Sequence, residues 1–339
     1  IIQDVKIGGN RLKLIDMHCD TISEIWEARK SGEDCNLREN AMMIDLKRLR
    51  ENYYLVQNFA LFVDEKKAED GRFTTVKKLI QVFKQEMKEN ADWIGEVHTV
   101  EDILENEKQG RLSALLTVEE GGVCEGSLNH LRYLYQQGVR MMTITWNYPN
   151  ELAFPNIFEK QKNDKGFYLF DASKGLSKKG FEFVERMEEL GIIIDVSHLS
   201  DKGFWDIAQN TKKPFVASHS NARTLCGHAR NLTDEMIAAI ADRGGVIGLN
   251  FYGLFLNESA DYYSNVKRMA EHARHIINIG GADCLGLGSD FDGIDGVLEM
   301  QDCSQMDKLI NELQRQHFSN SEIEKIFYKN VLRVYKELL

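Results

Sequence analysis

The chain has 339 residues, of which 43% are hydrophobic and 28% are charged. No stretch reaches the roughly 20 consecutive apolar residues that a membrane-spanning helix requires. The formal net charge of -11 argues against a nucleic-acid partner, because proteins that bind nucleic acids present a basic surface.

Eight short apolar runs, most of them ending in a polar residue, predict eight strands. They are residues 12–20, 55–63, 113–119, 141–146, 191–198, 215–219, 245–252 and 284–290. Between them, apolar residues recur with helical spacing at 73–89, 128–137, 178–190, 233–242 and 266–279. After the last strand we expect two more helices, at 305–316 and 321–339, the second begun by a capping box of Ser321 and Glu324.

Alternating strands and helices are typical of a parallel sheet. Eight such repeats predict a (β/α)8, TIM-like barrel, because no Gly-rich phosphate-binding turn follows the first strand, as a doubly wound sheet would usually have. No linker interrupts the chain, so we expect residues 1–339 to form one domain. Residues 147–177 are long enough for a functional loop over the barrel mouth.

Six cysteines are spread along the chain without any C-x-x-C pair. This pattern favours neither a zinc knuckle nor a dense disulfide framework, and it fits free thiols in a reducing compartment. We therefore expect a cytoplasmic protein without a membrane partner.

His18 and Asp20 lie two residues apart at the end of the first predicted strand. Residues at this spacing share one face of a strand, so an imidazole and a carboxylate would project together into the barrel mouth. These are ligand types that bind divalent metals. Taken alone, such a pair is more often a hydrogen-bonded polar pair at a strand end than a metal site.

Glu119 ends the third predicted strand, and Glu120 follows it. A carboxylate between two cations can bridge them with one oxygen each. Glu119 is preferred because it continues the strand, while Glu120 stays a rival because the glycines beside it allow close approach to a ligand.

His198 and His219 end two successive predicted strands, each preceded by a serine. Neutral imidazoles at neighbouring strand ends would lie side by side around a metal. Asp290 follows the last strand, where a carboxylate close to metals would take a proton from water and pass it to a leaving nitrogen. Asp292 is two residues further on and is the alternative.

Taken together, these motifs resemble the membrane dipeptidase (renal dipeptidase, peptidase M19) family, within the amidohydrolase-type barrels. The resemblance covers nearly the whole chain. The matching stretches are residues 16–21, 118–119, 175–177, 195–200, 218–220, 230–231 and 288–293.

The resemblance implies two zinc ions in each chain. One would be held by His18 and Asp20, the other by His198 and His219, with Glu119 bridging them.

For the reaction, the resemblance implies a dipeptidase in which hydroxide between the zinc ions attacks the peptide carbonyl. Asp290 would act as proton shuttle. Arg230 would bind the terminal carboxylate of the dipeptide, for which a planar guanidinium is well suited.

The chain departs from the mammalian relatives in one place. They carry a substrate-contacting histidine after the fourth strand, where this chain has Trp146. We therefore expect Trp146 and Asn147 to contact substrate and the substrate preference to shift. Stabilisation of the tetrahedral intermediate would come either from metal alone or from another donor, such as Asn147. The secretion signal and lipid-anchor tail of the mammalian enzymes are not visible.

Two other functions stay open. The same metal chemistry would serve another binuclear amidohydrolase that acts on a cyclic amide, lactam or lactone. A barrel that keeps the ligands only to bind a small molecule is the non-enzymatic alternative. Manganese, iron or cobalt would suit the same ligands, and the sequence leaves the preferred dipeptide and the assembly, for instance a homodimer, undetermined.

Overall fold

A computed structural model describes residues 6–7, 10–157, 173–258 and 262–339 of the chain. Ten strands lie in these ranges: β1 (Lys6–Ile7), β2 (Asn10–Arg11), β3 (Leu14–Asp16), β4 (Tyr54–Phe62), β5 (Ile94–Val97), β6 (Leu112–Glu119), β7 (Met141–Thr143), β8 (Ile193–Asp195), β9 (Ile247–Leu249) and β10 (Leu285–Leu287).

The described α-helices mostly follow the strands. They are α1 (Thr21–Lys30), α2 (Leu46–Glu51), α3 (Arg72–Glu89), α4 (Val100–Lys108), α5 (Leu128–Gln136), α6 (Lys178–Leu190), α7 (Asp201–Asn210), α8 (Asp234–Asp242), α9 (Gly253–Leu256), α10 (Val266–Gly280), α11 (Met306–Arg315), α12 (Asn320–Glu324) and α13 (Asn330–Leu338). A π-helical turn, Lys325–Lys329, joins the last two. The five helices predicted between the strands are confirmed as α3, α5, α6, α8 and α10, with bounds that differ by at most one residue.

The main sheet is parallel, with strand order β8-β7-β6-β4-β3-β10-β9. The two ends of this order are joined through residues 215–217. Val216 donates its backbone N–H to the carbonyl of Ile194 at 2.9 Å, and Gly248 donates to the carbonyl of Ala217 at 2.8 Å. The ring therefore closes with eight strand positions (staves), which are the seven strands of this order and residues 215–217. This closure confirms the predicted TIM-like barrel.

The sixth stave is shorter than the strand predicted at 215–219. Only two isolated bridges form there, Asp195 to Val216 and Ala217 to Ile247. Backbone pairing stops after Ala217 because the next two backbone N–H groups donate to side chains instead. The N–H of Ser218 donates to the carboxylate of Asp195, and the N–H of His219 donates to the hydroxyl of Ser197.

The sequence analysis missed β5. This strand pairs in parallel with the first half of β6, from Ile94 beside Leu112 to Val97 beside Leu115. β7 pairs with the second half of β6 through Thr117 and Val118. The four residues of β5 are buried only at their two ends, so they show neither strand alternation nor a continuous apolar run.

Local signals explain where helices begin and end. In α6, the side chain of Ser177 accepts a hydrogen bond from the N–H of Gly180, and Gly191 ends the helix with φ of 79°, a conformation that costs glycine little. The predicted capping box of Ser321 and Glu324 is wrong by two residues. Ser319 and Glu322 form the box instead, because α12 begins at Asn320.

The C-terminal helix closes the end of the barrel at which the strands begin. Asn330 donates to the carbonyls of Ala282 and Leu285 beside the start of β10. Tyr335 is 1% exposed and donates its hydroxyl to Asn58 on β4 at 2.8 Å. The opposite end, where the strands finish, is the end that carries the candidate site.

Among the described residues, no helix combines the length and the apolar character needed to cross a lipid bilayer. All six cysteines are free thiols, in agreement with the pattern expected from their spacing.

Candidate metal centre

The six side chains predicted to carry the chemistry meet at the carboxyl ends of the barrel strands. Each is at most 8% exposed. They come from five staves: the residues following β3, the last residue of β6, and the residues that follow β8, the 215–217 stave and β10. In chain order they are His18, Asp20, Glu119, His198, His219 and Asp290.

Glu119 lies at the centre of this group, and its two oxygens face different partners. Oε2 is 3.5 Å from Nε2 of His18. Oε1 is 3.0 Å from Nε2 of His198 and 3.4 Å from Nε2 of His219. Ligand atoms of one tetrahedral zinc lie roughly 3.4 Å apart, given bonds of about 2.1 Å, so these separations fit a metal on each side of the carboxylate.

Glu120, the rival for this position, points away from the group. Its carboxylate accepts hydrogen bonds from the N–H of Trp146 at 2.7 Å and from the N–H of Gly122 and the amide of Asn150 at 2.6 Å. Its φ of 89° turns the chain out of strand geometry directly after Glu119. Burial raises the pKa of Glu120 to about 7. Glu120 therefore anchors the loop after β7, and Glu119 alone faces the histidines.

A second set of atoms gathers around His18. Its Nε2 is 3.4 Å from Oδ2 of Asp20 and 3.8 Å from Oδ1 of Asp290. Nε2 of His18 and Oδ1 of Asp20 are buried without a hydrogen-bond partner among the described residues. A buried polar atom without a partner is costly, and a cation would satisfy both atoms.

Gly293 allows these carboxylates to lie so close together. A Cβ at this position would come within 2.1 Å of Oδ2 of Asp20 and 2.7 Å of Oδ1 of Asp290. Any side chain there would push the two acids apart, and glycine is the residue that permits the approach.

Charge in the group also favours a bound cation. Burial lowers the pKa of His18, but the carboxylates of Glu119 and Asp20 outweigh burial and raise this pKa well above its usual value. Burial raises the pKa of Asp20 to about 6 and that of Asp290 to about 7. The site thus stabilises a positive charge, and its carboxylates repel one another. A divalent metal would relieve this repulsion.

The other two histidines are held neutral. Burial, assisted by the nearby Arg230, lowers the pKa of His198 to about 4, and burial lowers the pKa of His219 well below its usual value. Asn147 places its side-chain oxygen 2.8 Å from Nδ1 of His198, so this nitrogen carries the proton and Nε2 presents a lone pair. Neutral imidazole is the form that binds metals. The residues present therefore fit a binuclear site.

Backbone strain accompanies two of these positions. His198 has φ of 67° and Asp290 has φ of 64°, in the left-handed region that residues other than glycine rarely adopt. Such strain is common where a side chain must be aimed at a site.

The group opens into a cavity of 440 Å³, a size suited to a small molecule. Aromatic rings form much of its wall: Phe62, Trp146, Tyr252 and Phe255. The ring of Trp146 is 4.8 Å from that of Phe62 and 6.2 Å from that of His198, centroid to centroid. Asn147 also lines the cavity. Trp146 and Asn147, two of the three residues predicted to contact substrate, thus lie at the mouth of the site.

Arg230 is near the site but not on the cavity wall. It is 1% exposed, and it donates to the carbonyl of His219 at 3.0 Å and to the hydroxyl of Ser220 at 3.3 Å. The ring of Phe255, which does line the cavity, is centred 5.2 Å from its guanidinium carbon. Burial lowers the pKa of Arg230 to about 10, so it is a buried cation, and its Nε has no hydrogen-bond partner among the described residues.

The long loop predicted at 147–177 is described at both ends, and residues 158–172 lie outside the described residues. The first part packs against the strand end that carries His198. Asn156 donates its N–H to the carbonyl of His198 at 2.6 Å, and Ser200 donates to the carbonyl of Phe154. This part of the loop therefore helps to fix the backbone of a candidate ligand.

Two acids that support the site, Asp16 and Asp195, were not predicted from the sequence. Each is the last residue of its strand and is buried, and each accepts hydrogen bonds from a serine on a neighbouring stave, Ser289 for Asp16 and Ser218 for Asp195. The sequence contains one signal that could have identified them. Both lie two residues before a polar residue at a strand end, and this spacing puts side chains on one face of a strand.

Comparison with known proteins identifies a family over nearly all of the chain. The model of the family described as "Membrane dipeptidase (Peptidase family M19)" matches residues 7–338. An uncharacterized protein encoded in the pqqA 5' region of Klebsiella pneumoniae is 35% identical over 229 residues, which are 67% of this chain and 82% of that protein. The uncharacterized dipeptidase C965.12 of Schizosaccharomyces pombe is 35% identical over 230 residues, 67% of this chain and 53% of that protein.

Solved structures share the fold. A metallo peptidase from Rhodobacter sphaeroides, liganded with a phosphinate mimic of the dipeptide L-Ala-D-Ala, superposes with a TM-score of 0.86 at 23% identity and covers 97% of this chain and 99% of its own. The probable dipeptidase PvdM from Pseudomonas aeruginosa superposes with a TM-score of 0.83 at 20% identity, covering 97% and 96%. These likenesses support the barrel architecture independently of the motifs.

Proposed function

The chain belongs to the membrane dipeptidase family, peptidase family M19, and from that premise we propose that it hydrolyses small dipeptides with two zinc ions bound at the barrel mouth. Membership confirms the family resemblance and the predicted enzyme class, a metallo-dipeptidase. The number and identity of the metals and the roles of individual residues are proposals.

The observation that carries the proposal is the position of Glu119 between two sets of ligand atoms. One oxygen faces His18 at 3.5 Å, and the other faces His198 and His219 at 3.0 and 3.4 Å. A carboxylate in this position would bridge two metals with one oxygen each.

In this proposal, His18 and Asp20 hold one zinc ion, and His198 and His219 hold the other. Two imidazoles and carboxylate oxygens are ligands that zinc favours. Bound metals would supply a polarised carbonyl and a water of lowered pKa. The chain's own residues supply the geometry, because the ligands project from strand ends held by the closed barrel.

Asp290 is the proposed proton shuttle. Its Oδ1 faces His18 at 3.8 Å, and its Oδ2 accepts a hydrogen bond from Asn250 at 2.9 Å. Burial raises its pKa to about 7, so it can both accept and donate a proton near neutral pH. Asp290 would take the proton of the attacking water and pass it to the nitrogen of the departing amino acid.

Arg230 is proposed to bind the terminal carboxylate of the dipeptide. A buried guanidinium with an unpartnered Nε attracts an anion strongly. The ring of Phe255, which lines the cavity, lies 5.2 Å from this group, and we infer that it would shift when a substrate carboxylate reaches Arg230. Trp146 would pack against the substrate in place of the family histidine. Asn147 directs its oxygen to His198, which leaves its amide N–H groups as donors toward the substrate carbonyl.

The enclosed position of Arg230 also favours a second candidate. A cyclic amide, lactam or lactone needs no carboxylate clamp on the cavity wall, and the same metal pair would activate water against its carbonyl. The two candidates differ in whether a free carboxylate is required.

The test combines elemental analysis of the purified protein with turnover assays. Two zinc ions per chain, with hydrolysis of a panel of L,L and L,D dipeptides that a chelator abolishes, would support the dipeptidase. Two zinc ions with turnover of cyclic amides alone would select the second candidate. A protein that binds no metal would exclude both.

A further inference from the structure

Asp195, the last residue of β8, is fully buried and takes no part in the proposed chemistry. Its Oδ1 accepts hydrogen bonds from the N–H groups of Ser197 and Ser218, each at 2.9 Å. Its Oδ2 accepts from the hydroxyls of Thr143 at 2.8 Å and Ser218 at 2.5 Å. Four donors from three staves therefore converge on one carboxylate.

We propose that Asp195 is a positioning residue that acts through the hydroxyl of Ser218 to fix the tautomer and ring orientation of His219, so that Nε2 of this histidine presents its lone pair to a metal. The proposal rests on the proposed ligand role of His219. It adds an acid and a serine that the ligand set does not include.

The number of donors and acceptors at Ser218 decides where the hydrogens lie. An ionised carboxylate only accepts hydrogen bonds, and a serine hydroxyl has a single hydrogen to donate. Ser218 donates that hydrogen to the carboxylate of Asp195. Its oxygen lies 2.7 Å from Nδ1 of His219 and must therefore accept a hydrogen bond from this nitrogen.

The consequence concerns the other ring nitrogen. The form of histidine that binds a metal is the neutral imidazole, which carries one proton. With that proton on Nδ1, Nε2 keeps its lone pair, and this atom lies 3.4 Å from Oε1 of Glu119. A carboxylate that holds a metal-binding histidine in the correct tautomer is a recurrent arrangement. Here a serine hydroxyl is inserted between the two.

A related arrangement in the same barrel shows which part is particular to Asp195. Asp16, at the end of β3, accepts from the N–H of Ser289 at 2.8 Å and from its hydroxyl at 2.5 Å. Ser289 precedes Asp290, however, and its oxygen contacts no ring nitrogen among the described residues. Both acids join neighbouring staves, and Asp16 also accepts a hydrogen bond from the backbone N–H of His18 at 3.4 Å, but of these two acids only Asp195 is linked through a serine hydroxyl to a histidine ring.

The test uses Ser218→Ala, with Thr143→Val as the matched control. Both variants remove a hydroxyl that donates to Asp195, but only Ser218 contacts His219. Valine has nearly the shape of threonine, and alanine is smaller than serine, so both should fold, which thermal unfolding would verify. Metal-free protein is titrated with Zn²⁺ against a chromophoric chelator, and the tautomer of His219 is read from ¹⁵N shifts of labelled histidine.

We expect Ser218→Ala to weaken one of the two zinc equivalents by about 10- to 100-fold, the usual effect of losing such a partner, and to shift His219 away from the Nδ1–H tautomer. Thr143→Val should keep both zinc affinities and the tautomer. Unchanged affinity and tautomer in Ser218→Ala would overturn the proposal. Equal weakening of zinc binding in both variants would also overturn the proposal, because the effect would then come from the loss of hydrogen bonds that join neighbouring strands through Asp195.

His219→Ala separates this proposal from the proposed function. If that variant keeps two zinc equivalents, His219 is not a ligand, and the ligand set itself fails. If it loses one while Ser218→Ala behaves as wild type, the ligand set stands and the role of Asp195 alone is rejected.

Discussion

Nε2 of His198 lies 3.0 Å from Nε2 of His219, and both nitrogens face the same oxygen of Glu119. Both rings are neutral, since burial lowers both pKa values, and in both rings Nδ1 contacts an acceptor oxygen. Two lone pairs and a carboxylate oxygen therefore converge without a hydrogen between them. Such a convergence is repulsive unless a cation is bound, so we expect a metal bound here to stabilise the folded protein.

Removal of metal should therefore destabilise the folded protein. Binding to the native state alone at a free zinc concentration of 1,000 times Kd adds about 4 kcal/mol to the free energy of unfolding. We expect Tm to fall on treatment with a chelator and to recover with added Zn²⁺. Differential scanning calorimetry would measure this, with the chelator-treated His198→Ala variant as control, and an unchanged Tm would argue against a metal at this site.

His198→Ala should remove turnover together with one metal equivalent, because the loss leaves His219 and one oxygen of Glu119 to hold that metal. Elemental analysis and a dipeptide assay on the same preparation would check both effects. Asn147→Ala is the milder comparison for metal content, since it keeps both imidazoles and removes the acceptor at Nδ1 of His198. Full metal content in His198→Ala would mean that this histidine has another role.

Asp290→Asn should keep both metals and lose the chemical step, because an amide cannot transfer the proton. A general acid or base typically contributes about 10²- to 10⁴-fold, so we expect kcat to fall by that range with little change in KM. Single-turnover kinetics would separate chemistry from product release.

Asp292→Asn is the control for Asp290. Its carboxylate accepts from the hydroxyl of Thr21 and from the N–H of Met43, both at 2.6 Å, so the substitution should lower stability more than kcat. If Asp292→Asn lost the chemical step while Asp290→Asn remained active, the two acids would exchange roles.

Arg230→Met should raise KM for dipeptides, because a hydrogen-bonded charge pair with the substrate carboxylate is lost. Such bonds are worth about 1.5–3 kcal/mol, which corresponds to roughly 10- to 150-fold in kcat/KM. Dipeptide amides, which lack the carboxylate, provide the comparison: they should be poor substrates of the wild type and lose little more in the variant. An equal loss for both substrates would point to a structural role for Arg230.

Acid should destabilise the protein through His272. This buried imidazole accepts a hydrogen bond from the N–H of Ala222 and donates one to the carbonyl of Leu256, and burial lowers its pKa to about 4. The unfolded value is about 6.5. The neutral ring therefore contributes stability above pH 6.5, and up to about 3 kcal/mol of it is lost as pH falls from 6.5 to 4.

Urea unfolding of metal-free protein at several pH values would test this. His272→Gln should be less stable than wild type at pH 7.5 and should lose less stability between pH 6.5 and 4. The same pH dependence in both proteins would show that other groups dominate acid unfolding.

Several features of the site follow from short-range sequence pattern. His18 and Asp20 share a face because strand geometry has a period of two, and Glu119, His198, His219 and Asp290 were identifiable as the polar residues that end apolar runs. The alternation of strands and helices that predicted the barrel is also a short-range pattern, because the period of a strand and the period of a helix both depend on residues close together in the chain.

Other features depended on backbone conformation that no local pattern reveals. Glu119 and Glu120 are chemically identical, and the positive φ of Glu120 decides which one faces the histidines. The stave at 215–217 ends early because Ser218 turns to Asp195, a residue 23 positions away.

The sequence by itself determined the types of candidate ligand, their order along the chain and the fold that brings strand ends together. Only the tertiary structure decided what surrounds each of them: the serine between Asp195 and His219, the amide of Asn147 on His198, and the ring of Phe255 beside Arg230. These contacts join residues from different staves, and their geometry is set by closure of the ring and by packing of the loops above it.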